Sequence, residues 1–155
     1  MARAAKLQDV PVNVLYAVGL AETGHHGVLQ PFDLNIDGKS VHFENLEAAM
    51  GAVARARQAG AKSIDIGCMQ INLQWHGNKF WSLADMFDPR RNVDYAARFL
   101  RELRRREGSW TLAVARYNAG PGNFAAQRQY VCRVIRQMVG SGMGNWTPAA
   151  TELCR

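Results

Sequence analysis

Apolar residues recur at helical spacing along most of this chain and alternate with polar ones in one short stretch. Leu15, Val18 and Gly19 share a face between Asp9, read as an N-cap, and Gly24, read as a stop, with Pro11 in the first turn. Phe32, Leu34 and Ile36 then alternate with polar residues up to Asp37-Gly38. A two-residue turn there sets Leu34 opposite Val41 and Phe32 opposite Phe43, which predicts a hairpin. Asn45 caps a helix over 46–59, and 62–67 reads as a short extended segment, with a further helical element starting near Cys68. Ser82 caps a short helical turn through Phe87, and Asp88-Pro89 opens a long helix closed by Gly108. Ser109 caps another helix, which stops at 118–122. A last helix over 124–139 puts Phe124, Val131, Ile135 and Met138 on one face, and 140–155 has no clear period. The pattern predicts a mainly α fold with one small β-hairpin element, as a single domain over 1–155 with a core at about 10–139 and a tail at 140–155.

A chain of 155 residues buries enough surface to fold without a metal or disulfide staple. Its 48% apolar and 21% charged residues exclude a disordered chain. The longest apolar run, Val14 to Ala21, is too short for a membrane span of about 20 residues. The net charge of +6 favours polyanionic partners: nucleic acid, an anionic membrane surface or an acidic wall polymer. No helix-turn-helix, zinc-finger or RNP pattern is present, so no nucleic-acid partner is expected. Arg90, Arg91, Arg98, Arg101, Arg104, Arg105 and Arg106 crowd the long helix, either as a solvated face or as an attraction for wall polymer or a partner protein. His25, His26, His42 and His76 lack ligand spacing, so neither metal nor cofactor is expected.

Three clusters carry candidate chemistry. Glu22 follows Leu15, Val18 and Gly19 at i−7, i−4 and i−3, on the apolar face and in the last helical turn. Desolvation and the negative end of the helix dipole both disfavour its charged form, as a general acid requires. A surface glutamate at a fraying helix end fits the same position. The second cluster, Asp65-Ile-Gly-Cys-Met-Gln-Ile-Asn72, sets a carboxylate and two amides in an apolar octet. Gln70 and Asn72 each donate and accept, which suits acetamido and hydroxyl groups of a sugar. A strand-to-turn junction capped by Asp65 is the structural alternative. The third, Tyr117-Asn-Ala-Gly120, ends a helix on which Tyr117 lies in line with Trp110 and Ala113, facing inward with a hydroxyl to satisfy. A structural Tyr at a helix stop is the alternative there.

In that order, Glu22-Thr23, Gly67-Cys-Met-Gln70 and Tyr117-Asn-Ala-Gly120 resemble the lysozyme-like lytic transglycosylases of the soluble-type (SLT) family. Members carry a helix-terminal Glu followed by Ser or Thr, then G-x-M-Q, then Y-N-A-G. The likeness runs from about Val10 to Ile135 and looks greatest to short members attached to conjugation, secretion and pilus machines. It implies an α+β lysozyme-like fold and an enzyme that cleaves the β-1,4 bond between N-acetylmuramic acid and N-acetylglucosamine, leaving 1,6-anhydro ends. It implies Glu22 as acid and then base, oriented by Tyr117. Thr23, Gln70, Asn72 and Asn118 would line the glycan groove, with Met69 packed behind the scissile sugar. Apart from the resemblance, Trp75, Trp81, Trp110 and Trp146 are each candidates for stacking on sugar rings or for the core, and Trp75 or Trp81 is the choice for the groove because both follow Gln70 closely. Three departures stand out. Thr23 occupies a position where Ser is commoner, and the segment over 31–60 is an elaboration. The run Asp-x-Gly-x-x-Gln-Ile-Asn also resembles animal-type lysozyme, in which that Asp, here Asp65, is the second catalytic carboxylate. A hydrolytic muramidase using Glu22 and Asp65 is therefore the alternative. A non-cleaving glycan- or partner-binding module is a second.

The substrate implies a periplasmic enzyme. The basic start over 1–6 has no apolar stretch after it, so a signal peptide is expected to have been removed. Expected partners are glycan strands and components of an envelope-spanning secretion, conjugation or pilus machine; a monomer is expected. Cys68 lies beside Ile66 and Met69 and is expected to be a buried thiol. A Cys132–Cys154 disulfide would pin the unpatterned tail, which an oxidising periplasm permits.

Overall fold

The computed structural model describes residues 1–155. The chain is mainly helical with a small antiparallel sheet, in two compact units. A helical unit comprises Met1–Ala21 and Tyr95–Arg155, and a mixed unit comprises Glu22–Asp94. Two helices, α2 (Val12–Thr23) and α6 (Pro89–Glu107), carry the chain from one to the other.

In the mixed unit, β3 (Leu34–Ile36) and β4 (Lys39–Val41) form the predicted hairpin, with Leu34 opposite Val41. The ladder stops there, so Phe32 and Phe43 are not a strand pair. Asp37 and Gly38 both take positive φ, as a tight hairpin turn demands. The sheet is larger than the hairpin, with order β4-β3-β5-β6. Strand β5 (Ile64–Ile66) sets Ile66 against Leu34 and Ile64 against Ile36; β6 (Ile71–Asn72) follows it. Leu34, Ile66 and Met69 are wholly buried, each stabilising the unit by about 1.5–3 kcal/mol. Around this sheet lie α3 (Leu46–Gln58), α4 (Leu73–His76) and α5 (Leu83–Phe87), with a second small hairpin of β1 (Gly24–His25) and β2 (Val28–Leu29). Asn45 and Ser82 cap α3 and α5 as predicted, accepting from Ala48 N and Asp85 N.

The expected helix at Cys68 is instead a tight turn. Gly67 and Gln70 sit at φ +75° and +47°, left-handed values that stop a right-handed helix from starting.

The helical unit opens with α1 (Ala2–Gln8), which the sequence reading missed. Asp9 is the left-handed C-cap of α1 rather than an N-cap of α2, and its N–H bonds back to that helix. Ser109 caps α7 (Trp110–Asn118), accepting from Leu112 N. On α8 (Phe124–Gly140) the buried face is carried by Gln127, Tyr130, Val131 and Val134, whereas Phe124 is 77% exposed. The tail forms α9 (Pro148–Leu153), capped by Thr147 with Pro148 at the first helical position. Cys154 is bonded to Cys132 of α8, with Cα atoms 5.5 Å apart. Closing a loop of 22 residues contributes about 3 kcal/mol in the chain-entropy account.

Candidate active site

Glu22 and Thr23 end α2 directly before the β1–β2 hairpin. Val18, one turn earlier, is wholly buried, and Glu22 itself is half-buried. Thr23 is buried and bonded in both directions: its Oγ1 donates to the carbonyl of Cys68 at 2.8 Å and accepts from Gln30 N at 3.2 Å. That hydroxyl fastens the end of α2 to the turn at 67–70, so the first two sequence clusters meet in the mixed unit. The methyl of Thr23 adds apolar burial that Ser would lack. His25 and His26 form the exposed hairpin next in sequence, their rings edge to face at 4.3 Å. His26 and Gly27 take φ +50° and +78° to close it.

The turn itself is held from behind by Asn92, a residue the sequence reading passed over. Asn92 is wholly buried near the start of α6. Its Oδ1 accepts from Met69 N at 2.9 Å, and its Nδ2 donates to Ile66 O at 2.9 Å and Met86 O at 2.8 Å. A Cβ on Gly67 would lie 3.0 Å from Asn92 Nδ2 and 3.3 Å from Met86 O, in a backbone conformation that already favours glycine. The signal for Asn92 was present: it heads the apolar row Val93, Ala96, Leu100 and Leu103, where a polar residue needs partners.

Met69 is wholly buried, so its side chain packs and offers no surface to a ligand. Gln70 closes the turn, its Nε2 donating to Gly67 O at 3.0 Å and Asp33 O at 3.2 Å. Asn72 is committed to the fold. Its Nδ2 donates to Asp65 Oδ1 at 2.7 Å and Ser63 Oγ at 2.9 Å, and its Oδ1 caps α4 through Gln74 N and Trp75 N. Those four bonds use its whole capacity. Asp65, half-buried on β5, therefore has a fixed position. Burial raises its pKa above the usual carboxylate range, against the lowering effect of the Asn72 bond. Cys68 is a buried free thiol, pushed up to about 11 by desolvation, and is no nucleophile at neutral pH. Beyond α4, Trp75 and Trp81 are 74% and 92% exposed.

Asp33 braces the turn from its other side, accepting through its backbone carbonyl from Gly67 N and through its carboxylate from His42 Nδ1 at 2.6 Å. That carboxylate raises the pKa of exposed His42 above 6.5. Folding thus favours the imidazolium. Its contribution is complete below pH 6.5 and lost as pH rises through the higher folded value. An NMR titration is expected to place the His42 midpoint above 6.5, and Asp33→Asn to lower it.

Tyr117 and Asn118 lie in the helical unit, at the end of α7. The Tyr117 ring is half-buried and packs on Phe99 with centroids 5.6 Å apart. Asn118 is exposed and borders a cavity of about 250 Å³ shared with Tyr130, Arg133 and Arg136. Buried Gln127, also missed from sequence, donates to Gly120 O at 2.7 Å and fixes the loop after Asn118. Its place on α8, between apolar neighbours one turn away, was the available clue.

A family model described as the transglycosylase SLT domain matches residues 47–136. That stretch takes in Asp65, the turn at 67–70 and the run at 117–120; Glu22 and Thr23 precede it. No curated protein and no solved structure matches the chain.

Proposed function

The chain belongs to the transglycosylase SLT domain family, glycan-cleaving enzymes that act on peptidoglycan, and from that premise we propose that it is a lytic transglycosylase with Glu22 as its general acid and base. The observation that carries the reading is the Thr23–Cys68 bond, which sets the half-buried Glu22 end of α2 against the turn bearing Gln70.

In the proposed reaction Glu22 protonates the glycosidic oxygen between N-acetylmuramic acid and N-acetylglucosamine, and an oxocarbenium-like centre forms as the C–O bond breaks. The ionised Glu22 then takes the proton of the muramyl 6-hydroxyl as that oxygen closes on the anomeric carbon. The acid is regenerated, and no water enters the product. Tyr117 is assigned the positioning of the acid and Asn118 a contact with glycan, both from the resemblance of the 117–120 run. Gln70 contributes as an acceptor, since its amide nitrogen is occupied. Asn72 is reassigned from glycan binding to holding Asp65. Periplasmic residence is proposed with the substrate, and the Cys132–Cys154 bond suits an oxidising compartment.

Asp65 favours one rival, a muramidase with two carboxylates, because it is half-buried and held by Asn72. Mass spectrometry of muropeptides released from sacculi separates the two. Transglycosylation is expected to give anhydro products, lighter by one water, with only a modest loss in Asp65→Asn. Hydrated products, together with an Asp65→Asn variant as inactive as Glu22→Gln, would establish hydrolysis instead.

A further inference from the structure

The arginines of α6 are not all a solvated face. Inside the helical unit, where the last turns of α6 pass the end of α1 and the start of α7, lies a cavity of about 630 Å³. Lys6, Arg101, Arg104 and Arg105 line it with Trp110 and one acid, Asp9. Arg101, Arg104 and Arg105 share a helix face by their i, i+3, i+4 spacing, so their like charges repel one another. The protein supplies them no carboxylate partner: nearby Glu107 pairs with Arg106 and Arg116. Arg101 Nε is buried and makes no hydrogen bond. An unpaired buried guanidinium N–H is costly, and the protein leaves the Arg101 cation without an acceptor of its own. Arg104 lies over the Trp110 ring at 5.8 Å, which presents that cation at the cavity wall.

We propose that this cavity docks an acidic peptide segment of a partner protein. One carboxylate pairs with Arg101 and Arg104, and an adjacent apolar side chain lies against Trp110, Val10 and Pro11. Size argues for a segment of chain rather than a lone anion, because the volume is in the range of pockets that enclose drug-sized ligands. The apolar wall of Val10, Pro11 and Trp110 requires an apolar companion to the carboxylate. Shape argues against a lipid surface, since a planar array of headgroups does not enter a recessed cavity of this size. Asp9 in the wall repels a uniform polyanion but tolerates a peptide of mixed character. Trp and Arg together in a recessed site also match the composition of interface hot spots.

The proposal is independent of the glycan-cleaving reading, because no residue of this cavity is assigned to catalysis. It is tested on the full chain by two-dimensional NMR of arginine Nε–H and tryptophan indole N–H groups. The probe is acetyl-Gly-Glu-Leu-Asp-Gly-amide, and the control is the same peptide with Gln and Asn for the acids. The acidic peptide is expected to shift the Arg101 and Trp110 signals saturably, while the control leaves them in place. Arg104→Gln, on a half-buried surface position, is expected to weaken binding about tenfold, with sacculus cleavage and thermal stability unchanged. Equal shifts from both peptides, no shift at millimolar acidic peptide, or unaltered binding in Arg104→Gln would overturn it. So would equal shifts from inorganic phosphate or from phosphatidylglycerol vesicles, which would assign the cavity to a simple anion or a membrane.

Discussion

Glu22→Gln is expected to abolish release of muropeptides from sacculi, lowering the rate at least about 10²–10⁴-fold, the usual contribution of a general acid. Glutamine keeps the shape of the side chain but has no acidic proton to give the departing oxygen, and no carboxylate to accept one afterwards. In the proposed mechanism both half-reactions use the same group, so raising the pH or adding water cannot replace it. The fold should persist, since the Thr23 hydroxyl ties the end of α2 to Cys68. A melting transition within about 1 kcal/mol of the parent is the control. Tyr117→Phe is expected to lose less activity, because under the proposed mechanism its hydroxyl only positions the acid, which remains. Near-full activity in Glu22→Gln would refute the assignment of the acid. Equal damage in both variants would give Tyr117 a chemical part in the reaction.

What could be read from the sequence was what short-range chemistry determines. Asn45, Ser82 and Ser109 announce helix starts because each satisfies an amide three residues on, and all three do so here. The hairpin register followed from a two-residue turn with Leu34 and Val41 equally spaced about it. The order of the three clusters also revealed the family. The rest depended on partners far along the chain. Strand β5 is short and pairs with β3 across the whole of α3, so nothing local marks the sheet as four-stranded. Asn72 looked like a sugar ligand because its amide is versatile; the same versatility lets it hold Asp65 and cap α4 at once. Two further misses, besides Asn92 and Gln127, were avoidable. Thr147-Pro148 is a helix start in its own right, and Asp9 tolerates the left-handed conformation that ends α1.

Asn92 is where the largest loss of stability is expected. Asn92→Ala removes one side chain and leaves Met69 N, Ile66 O and Met86 O, each bonded to it in the native fold, without that partner. Ile66 O keeps its β5–β6 ladder partner, but Met69 N and Met86 O are left short, and at about 1–3 kcal/mol for each such buried group even the low end gives about 2 kcal/mol. In a chain of this size that lowers the melting temperature by about 4–8 °C. Activity should fall further than stability alone explains, because Asn92 positions the turn that carries Gln70 and receives Thr23. Asn92→Asp sharpens the test. Its carboxylate still accepts from Met69 N, but it faces the carbonyls of Ile66 and Met86 with lone pairs in place of an N–H. Burial and those carbonyls raise the folded pKa of the new acid, so the folded state binds the proton more tightly than the unfolded chain. The variant is therefore expected to lose stability as pH rises through the acid range and to recover part of it on acidification, when one donor returns. Denaturant titrations of the three proteins across that range decide the matter. An Asn92→Ala variant within about 0.5 kcal/mol of the parent, as for an ordinary surface change, would mean that the turn is held by its own backbone and by Thr23.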